Sequence, residues 1–458
     1  MKNLIPQSIK NIYHLLQAAL ANVWFGFPSK KLKVIGVTGT NGKTTTVQMI
    51  AKILEEAGFR VAVASTINFK IGEKEWVNDM KLTTFSSFRL QDFLRKATRA
   101  GCEYAVVEVT SHALDQYRVW GVDFDVAVIT NVTREHLDYH GTIEEYRQVK
   151  EKLFGKLARL HRYAKHCGQG KSGKSVAIVN LNMADAEEFL KYPAGEKYGY
   201  AVKISNFKFK ISNQFQNLNF KTVFAENIEL NIQNTRYQIP ASPAGGQDTS
   251  FQINLPGEFN VENALAATCV GLSQGISLEE ISQALAKIKG IPGRMERIEN
   301  DRRLEIIVDY AVTPDSLQKL YDYVSKLKKE NSRIIAVFGA CGERDRGKRP
   351  IMGKIVAKIA DFCIITNEDP YKEDPQQIID EVFEGVSKYR RENMNAWRIL
   401  DRREAIKKAL ELARADDIVV VTGKGAEETM AVGNERIPWN DPRAIREVLS
   451  ELSKEKNQ

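Results

Sequence analysis

Residues 34–46 read VIGVTGTNGKTTT, an apolar run that breaks into a glycine-rich turn and then enters a helical pattern. This order of strand, glycine loop and helix is typical of a phosphate-binding loop. Glycines let backbone N–H groups approach phosphate oxygens, and the helix N-terminus adds the positive end of its dipole. The stretch therefore predicts a nucleotide site at the edge of a parallel sheet.

Two side chains of this loop carry its expected chemistry. Lys43 would reach the outer phosphates, and the Thr44 hydroxyl would hold Mg²⁺. The general phosphate loop has a glycine five residues before Gly42, where this chain has Val37, so the loop is a shorter Gly-x-x-Gly-Lys-Thr type. The alternative is an ordinary tight turn between a strand and a helix. The candidate ATP contacts here are Gly39, Thr40, Asn41, Gly42, Lys43, Thr44 and Thr45.

The composition indicates a globular chain of 458 residues, long enough for two to three domains. Its net charge of +8 is spread along the sequence, and no basic stripe with interleaved aromatics argues for nucleic acid. The five cysteines form no C-x-x-C pair, which favours reduced thiols and a cytoplasmic location. The N-terminus has no signal-peptide pattern, and no apolar run approaches the ~20 residues of a membrane helix.

Strands and helices alternate twice, which predicts an α/β protein with two parallel sheets. The first alternation has strands at 34–37, 61–65, 104–109 and 124–130 and helices at 43–57, 86–100 and 142–158. The second has strands at 304–309, 333–338, 362–366, 397–400 and 417–421 and helices at 315–328, 350–360, 375–387, 402–414 and 442–453. Thr142 and Glu145 fit a capping box at the start of their helix.

The stretch between the two alternating regions differs from them in composition and in the period of its apolar residues. Residues 163–174 are rich in glycine and lysine and predict a loop, whereas residues 200–254 alternate with the period of antiparallel strands. A Pro/Gly/Ser-rich loop at 241–250 and helices at 261–274 and 278–288 follow. We therefore expect a short N-terminal segment (1–33), a central P-loop domain with a small antiparallel portion (34–298) and a Rossmann-like C-terminal domain (299–458).

Polar residues at strand ends are the next candidates, since ligands of open parallel sheets bind at the carboxyl ends of the strands. Glu108 is placed to bind a metal near the nucleotide, or is a solvated carboxylate. His136 or His140 could ligate a metal or be structural. Asn260 and Asn263 either cap a helix or contact an adenine edge. These readings remain open on the residues alone.

Taken in order, several longer stretches resemble the Mur ligases, a family of ATP-dependent amide-forming ligases, and most closely the MurE branch. The resemblance covers roughly residues 20–450. It is carried by GVTGTNGKTTT (36–46), EVTSHALDQYRV (108–119), TNVTREHLDYHGTIEEYRQVK (130–150), LPGEFNVENALAA (255–267), IPGRMERI (291–298), DYAVTPDSL (309–317), FGACGERDRGKRP (338–350) and TGKGAEE (422–428).

The resemblance implies specific roles for these residues. It assigns Lys43, Glu108, His136 and Lys150 to catalysis, and Thr44, Glu108, His136 and a carbamylated Lys150 to two Mg²⁺ ions. The ATP-facing residues outside the loop would be Asn260, Asn263, Arg294 and Asp309. The acceptor would contact Thr83, Thr84, Thr110, Gln116 and Arg118. The incoming amino acid would lie near Glu368, Asp369, Tyr371, Gly423 and Glu427.

The implied reaction adds an amino acid to a muramyl-dipeptide acceptor such as UDP-MurNAc-L-Ala-D-Glu during cell-wall synthesis. The acceptor carboxylate takes the γ-phosphate of ATP, and the amine of a free amino acid then displaces phosphate from the acyl phosphate. The implied cofactors are ATP, Mg²⁺ and the Lys150 carbamate, and the implied partners are small molecules. Two alternatives stay open: a ligase for a non-UDP acceptor, as in cyanophycin or folylpolyglutamate synthesis, and a P-loop switch ATPase.

Three departures from the family pattern qualify these expectations. Only 33 residues precede the loop strand, whereas family members carry a UDP-gripping domain there, so UDP recognition would be weak, absent or supplied by a partner. The loop that reads Asp-Asn-Pro-Arg in diaminopimelate-adding relatives is here Glu368 to Tyr371, which predicts against diaminopimelate and suits a basic side chain such as lysine. Val312 and Ala426 stand where relatives commonly have histidine.

Overall fold

The computed structural model describes residues 7–78, 83–167, 175–202, 220–231, 233–241 and 247–455. The chain forms two compact units, one of residues 1–132 and 142–289 and the other of residues 133–141 and 290–458. Residues 290–298, expected in the central domain, cluster with the second unit because Glu296–Arg297 pairs with a strand of its sheet. In the described part of the chain, no helix is both long enough and apolar enough to span a bilayer.

The described residues of the first unit form one eleven-stranded sheet. Its strands are β1 (Lys33–Thr38), β2 (Val61–Ala64), β3 (Asn68–Ile71), β4 (Lys74–Val77), β5 (Tyr104–Glu108), β6 (Val126–Ile129), β7 (Val176–Asn180), β8 (Glu196–Val202), β9 (Phe220–Leu230), β10 (Thr235–Ile239) and β11 (Thr249–Ile253). Their order is β11-β10-β9-β8-β7-β6-β1-β5-β2-β3-β4. The strands from β9 to β2 are parallel and both ends are antiparallel, which confirms the predicted combination.

Helices of the first unit flank this sheet. Numbered along the chain, they are α1 (Gln7–Phe25), α2 (Lys43–Glu56), α3 (Ser87–Arg99), α4 (Ser111–Asp115), α6 (Ile143–Cys167), α7 (Ala186–Leu190), α8 (Glu258–Ser273) and α9 (Leu278–Ala286); a short 3₁₀ turn spans Pro28–Lys31, and α5 (Leu137–His140) belongs to the second unit. The predicted capping box is present, since Glu145 N–H donates to Thr142 Oγ1 at 3.2 Å and Thr142 N–H donates to Glu145 Oε2 at 3.1 Å.

Two sequence-based expectations for this unit were wrong. Residues 163–167, expected in a loop, continue α6, whose helical pattern extends beyond the residue-158 end that we expected. Residues 200–202, expected in an antiparallel strand, end β8, which is parallel to both of its neighbours, β7 and β9. The alternating stretch 206–211, residues 168–174 and part of the 241–250 loop lie outside the described residues.

The second unit is built on a six-stranded sheet with the order β12-β13-β17-β14-β15-β16. The strands are β12 (Glu296–Arg297), β13 (Glu305–Asp309), β14 (Ile334–Phe338), β15 (Phe362–Thr366), β16 (Ala396–Ile399) and β17 (Ile418–Thr422), and β18 (Thr429–Val432) and β19 (Glu435–Pro438) form a separate hairpin. The helices are α10 (Pro314–Leu327), α11 (Lys348–Ile359), α12 (Pro375–Val386), α13 (Arg402–Leu412) and α14 (Asp441–Glu455). Only β12 is antiparallel among the six, which fits a Rossmann-like arrangement.

Buried strands set the position of the candidate site residues in each of the two units. In β1 the side chains of Val34, Ile35 and Val37 are fully buried. In the second unit β14 and β17 are buried along their whole length. Since parallel strands covered on both faces read as continuous apolar runs, their carboxyl ends are where polar side chains can first appear.

Candidate functional site

The glycine loop after β1 is shaped by two residues in conformations that favour glycine. Gly39 has φ 151° and Gly42, which precedes the first residue of α2, has φ 83°. A Cβ on Gly39 would lie 1.8 Å from Thr130 Oγ1, and one on Gly42 would lie 2.2 Å from Asn263 Oδ1. Both positions therefore need glycine for backbone conformation and for space.

The loop is fastened to the end of β6 by Thr130 and Asn131. Asn131 Oδ1 accepts from Asn41 N–H at 2.8 Å, and its Nδ2 donates to Asn41 O at 3.1 Å. Thr130 Oγ1 also donates to Asn41 O at 2.7 Å, and Thr40 N–H donates to Asn131 O at 2.9 Å. These contacts fix the position of the loop against the end of β6. Sequence reasoning quoted this stretch but gave the two residues no role.

Two lysines point to the same loop carbonyl. Lys43 Nζ donates to Gly39 O at 3.1 Å and to Thr40 O at 2.8 Å, and Lys150 Nζ donates to Gly39 O at 2.8 Å. Lys150 is buried and its ammonium lies 4.2 Å from the centroid of the Tyr146 ring. Both predicted lysines thus reach the phosphate loop. The present contacts of Lys150 are those of a cation, and carbamylation would replace them.

Glu108 at the end of β5 links the loop to the neighbouring strand ends. Its buried Oε2 accepts from Thr44 Oγ1 at 3.0 Å, from Thr66 N–H at 2.9 Å and from Thr66 Oγ1 at 3.0 Å. Thr66 Oγ1 is also 3.1 Å from Thr83 Oγ1. The solvated-carboxylate alternative is therefore wrong. A carboxylate with a threonine hydroxyl supplies hard oxygen donors, and these fit Mg²⁺.

The residues assigned to the acceptor extend this network. Thr84 Oγ1 donates to Glu108 O at 2.9 Å and lies 3.2 Å from Thr110 Oγ1, which caps α4. Arg118 Nη1 donates to Thr84 O at 3.4 Å, and its Nε donates to Gln116 Oε1 at 3.0 Å. A guanidinium, hydroxyls and an amide therefore converge beside Glu108. Such groups can bind an anionic, hydrogen-bonding substrate.

Asn260 and Asn263 lie inside α8, which begins at Glu258 after an N-cap at Gly257, so the helix-cap alternative is wrong. Asn260 Nδ2 donates to Pro256 O at 2.8 Å, and Asn263 Nδ2 donates to Asn260 Oδ1 at 3.1 Å. Thr46 Oγ1 donates to Asn263 Oδ1 at 3.3 Å. Both asparagines are buried beside the start of α2. Thr45, a further predicted loop contact, is buried on α2.

His136 lies in the segment 133–141, which clusters with the second unit. It has φ 56°, and its Nδ1 is 3.9 Å from Glu135 Oε1. The same Glu135 oxygen accepts from buried Lys348 Nζ at 3.0 Å, and Lys348 also donates to Val312 O at 3.0 Å. A buried ion pair thus holds the backbone next to His136. The alternative His140 is buried, with its ring 4.7 Å from that of Tyr139.

Arg294 and Asp309 meet at the end of β13. Asp309 Oδ2 accepts from Met295 N–H at 2.8 Å, and the Arg294 guanidinium lies 4.5 Å from the centroid of the Tyr310 ring. Burial raises the pKa of Asp309, although the Arg294 charge opposes this shift. The two residues that were assigned to ATP are therefore neighbours in the second unit.

A buried lysine organises the region assigned to the incoming amino acid. Lys424 Nζ donates to both oxygens of Asp369 at 2.9 Å and also to Glu427 Oε2. Tyr310 O–H donates to Glu427 Oε1 at 3.3 Å, and Asp369 Oδ1 accepts from Ala431 N–H at 2.7 Å. Burial lowers the pKa of Lys424, but the charges of Glu427 and Asp369 outweigh it and raise the pKa. Sequence reasoning missed Lys424.

Glu368 is packed between the ends of three strands. A Cβ on Gly423 would lie 2.8 Å from Glu368 Oε2, and one on Gly339 would lie 3.5 Å from Glu368 Cβ. Its Oε2 is buried and has no hydrogen-bond partner among the described residues. Burial, then the Asp369 charge, raise the pKa of Glu368 to about 7, against the opposing charge of Lys424. Glu368 is therefore a carboxyl that is partly protonated at neutral pH.

Tyr371 is fixed through its backbone to the β18–β19 hairpin. Its N–H donates to Ala431 O at 3.2 Å, and its carbonyl accepts from Gly433 N–H at 2.6 Å. The Arg344 guanidinium lies 5.7 Å from the centroid of the Tyr371 ring. Burial raises the pKa of Tyr371 to about 12, so its phenol stays neutral.

Among the described residues, no three His, Cys, Asp or Glu side chains are grouped as a metal site. The predicted Mg²⁺ set includes two such side chains, Glu108 and His136. Its remaining members are Thr44 and Lys150.

Comparison with known proteins gives matches over most of the chain. Residues 37–271 match the Mur ligase middle domain, and residues 293–425 match the Mur ligase glutamate ligase domain. A UDP-N-acetylmuramyl-tripeptide synthetase of Roseiflexus sp. (strain RS-1) is 39% identical over 440 residues, 95% of this chain and 82% of that protein. A UDP-N-acetylmuramoyl-L-alanyl-D-glutamate--2,6-diaminopimelate ligase of Syntrophomonas wolfei is 36% identical over 434 residues, 94% of this chain and 81% of that protein.

Solved structures show the same fold. A UDP-N-acetylmuramoyl-L-alanyl-D-glutamate--2,6-diaminopimelate ligase is 31% identical, with a TM-score of 0.59 over 93% of this chain and 79% of that one. The folylpolyglutamate synthase of Mycobacterium tuberculosis, complexed with ADP, is 17% identical, with a TM-score of 0.66 over 92% of each chain. At that identity the second likeness concerns the fold alone.

Proposed function

Because this chain belongs to the Mur ligase family, we propose that it uses ATP to join an amino acid to UDP-N-acetylmuramoyl-L-alanyl-D-glutamate. The family is one of ATP-dependent acid–amino-acid ligases. The observation that carries the proposal is the 39% identity over 440 residues to a UDP-N-acetylmuramyl-tripeptide synthetase. The Glu108 network supports it, since the carboxylate of Glu108 accepts from Thr44 of the phosphate loop and its backbone carbonyl accepts from Thr84, a residue assigned to the acceptor.

The chain's own residues account for nucleotide binding in this proposal. The loop presents backbone N–H groups to the phosphates, and Lys43 exchanges its carbonyl contacts for phosphate oxygens. Thr44 and Glu108 would hold Mg²⁺, which supplies positive charge against the phosphates when bound, and His136 is proposed as a ligand of the second ion. The reaction needs ATP, so we place the enzyme in the cytoplasm.

Lys150 is proposed to carry a carbamate, which would turn its ammonium into a further anionic oxygen ligand. Its burial and its contact with Gly39 O support the proposal, since the side chain ends at the phosphate loop. The test is ¹³C NMR of protein equilibrated with ¹³C-bicarbonate. A carbamate signal that disappears in Lys150→Arg supports the assignment, and an unlabelled native protein refutes it.

The acceptor residues would orient the reacting carboxylate. Arg118 offers a planar cation for an anionic acceptor, and Thr84 and Thr110 offer hydroxyls beside Glu108. An acceptor carboxylate oxygen bonds to the γ-phosphorus while the bond to ADP breaks. The neutral amine then bonds to the acyl carbon, loses a proton, and phosphate leaves with both electrons of the broken C–O bond.

The amino acid is proposed to be other than meso-diaminopimelate, because Tyr371 offers no guanidinium for a second carboxylate. Of the two carboxyls expected to suit lysine, Asp369 is already paired with Lys424. The lysine hypothesis therefore rests on Glu368. Competition between the two amino acids tests it, and turnover of diaminopimelate equal to or above that of lysine would refute it.

The decisive experiment measures phosphate release in a matrix of amino acids against UDP-linked and UDP-free acceptors, with mass spectrometry of the products. The proposal expects release only when acceptor and amino acid are both present. Glu108→Gln should lower the rate at least ~100-fold, because the Oε2 charge beside Thr44 is lost. Equal release without either substrate would indicate a switch ATPase, and product only from UDP-free acceptors would indicate the other ligase class.

A further inference from the structure

Helix α1 has a large apolar face that nothing in the described residues covers. Its six members are between 59% and 72% exposed: Ile12, Tyr13, Leu16, Leu20, Val23 and Trp24. Single exposed apolar side chains are ordinary on protein surfaces, but six on one 19-residue helix form a continuous patch. Such a patch normally marks an interaction surface.

The opposite face fixes α1 to the first unit. Ala18 and Ala21 are fully buried, and Asn22 Nδ2 donates to Trp120 O and to Ala18 O, both at 2.8 Å. The Arg95 guanidinium lies 4.5 Å from the centroid of the Phe25 ring. The helix is therefore held in one orientation. An amphipathic surface helix normally turns its apolar face toward the protein, whereas α1 leaves its apolar face exposed among the described residues.

The spacing of the exposed side chains suits a second helix of the same kind. Tyr13, Leu16, Leu20 and Val23 follow one another at intervals of three, four and three residues, which is the a/d pattern of a two-helix seam. Ile12 and Trp24 flank that seam. The helix contains no acidic residue, and Lys10 is its one lysine, so two copies would bring little like charge together.

The area of the patch also fits a second copy. The two aromatic members, Tyr13 at 60% exposed and Trp24 at 72% exposed, present on the order of 200–300 Å² by themselves, and the four aliphatic side chains extend the patch. Stable protein interfaces bury about 800 Å² on each partner. We propose that α1 pairs with α1 of a second copy of this chain, so that the protein is a homodimer with the six side chains at its interface. The proposal is independent of the catalytic assignment.

Sedimentation velocity of the full chain at several concentrations tests the proposal. The native chain should sediment as a dimer at micromolar concentration, and Leu16→Glu and Leu20→Glu should each weaken dimerisation at least ~100-fold, since each buries an unpaired charge. Met394→Glu is the matched control, because Met394 is equally exposed at 65% but lies in the second unit. Met394→Glu should sediment with the same dimer mass as the native chain. Circular dichroism should show the same helix content in every variant.

Three results would overturn the inference. The first is a native chain that stays monomeric up to ~100 μM. The second is a dimer that Leu16→Glu and Leu20→Glu leave intact. The third is a monomer that cosediments with anionic lipid vesicles and loses this binding in Leu20→Glu, which would make the face a membrane-surface element. A dimer broken by both glutamates but unaffected by Met394→Glu would support it.

Discussion

Single glycines decide whether the phosphate loop can form. Replacing Gly42 with alanine would impose a Cβ at φ 83° and 2.2 Å from Asn263 Oδ1, so the loop must shift away from its phosphate-binding shape. We expect Gly42→Ala to weaken ATP binding at least ~10-fold, measured by titration with a fluorescent ATP analogue.

Gly58→Ala is a control that introduces similar backbone strain without the steric clash that a Cβ on Gly42 makes with Asn263. Gly58 has a similar φ of 87°, but a Cβ there has no neighbour within 4 Å among the described residues. This control should lose about 1 kcal/mol of stability and keep its ATP affinity. Equal affinities in the two variants would show that the Asn263 contact does not shape the site.

Glu368 should make stability depend on pH in a direction unusual for a carboxyl. Its pKa is raised to about 7 by burial, above the ordinary glutamate value of 4.5. The unfolded chain therefore releases this proton first as the pH rises, and folding loses stability between about pH 4.5 and pH 7. Glu368→Gln removes this titration. The free energy of unfolding of the variant, relative to that of the native chain, should therefore rise by about 1–3 kcal/mol from pH 5 to pH 8.

Urea denaturation of both chains at the two pH values measures this difference. Glu435→Gln, on the exposed β19, is the control for the loss of a glutamate side chain outside the site. A Glu368→Gln variant whose relative stability is the same at pH 5 and pH 8 would mean that the carboxyl is ionised in the folded protein. Glu368 would then be available to a cationic side chain.

At the scale of elements, one arginine holds four of them together in the second unit. Arg402, at the start of α13, donates to both oxygens of Asp441 at 2.8 and 2.7 Å, where α14 begins. It also donates to Thr422 O at the end of β17 and to Asn367 O after β15. Both members of the ion pair are buried, so removing one leaves an uncompensated charge.

Arg402→Met should therefore cost about 3–5 kcal/mol of unfolding free energy. The next residue supplies a matched control, since Arg403 pairs with Glu451 at the surface of the same helix. Arg403→Met should cost at most ~1 kcal/mol. Thermal and urea unfolding of the two variants checks the difference. Similar losses would mean that the pair with Asp441 is not what joins these elements.

Elements with a buried face could be predicted from the sequence, whereas the β3–β4 and β18–β19 hairpins could not. The helix at Pro375–Val386 and the strand at Phe362–Thr366 lie where the apolar periodicity placed them, because burial imposes that periodicity. The strands β4 and β19 are exposed at every residue, so no alternation marks them. Their turns, at Gly72 and Gly433 with φ near 60°, were the available signal.

At the scale of the whole molecule, the sequence order predicted two sheets but not the membership of residues 133–141. This segment follows β6 of the first sheet along the chain, yet it clusters with the second unit. Glu135 and Lys348, more than two hundred positions apart, form the buried pair within that unit. A long-range contact of this kind leaves no periodic mark in either stretch. The same holds for Lys424 with Asp369, which sequence reasoning treated as a free carboxylate.

The docking of this segment can be measured by double-mutant cycles on two neighbouring ion pairs. Glu135 and Lys348 are both buried and 3.0 Å apart, whereas Arg134 and Asp345 are 3.7 Å apart and Arg134 is exposed. The buried cycle, with Glu135→Gln and Lys348→Met, should give a coupling energy above about 1.5 kcal/mol. The exposed cycle, with Arg134→Met and Asp345→Asn, should give at most ~0.5 kcal/mol. Unfolding free energies of the single and double variants supply both values. A coupling energy for the buried pair as small as that for the exposed pair would show that the second unit does not hold the segment around His136. The assignment of His136 to the second unit would then be wrong.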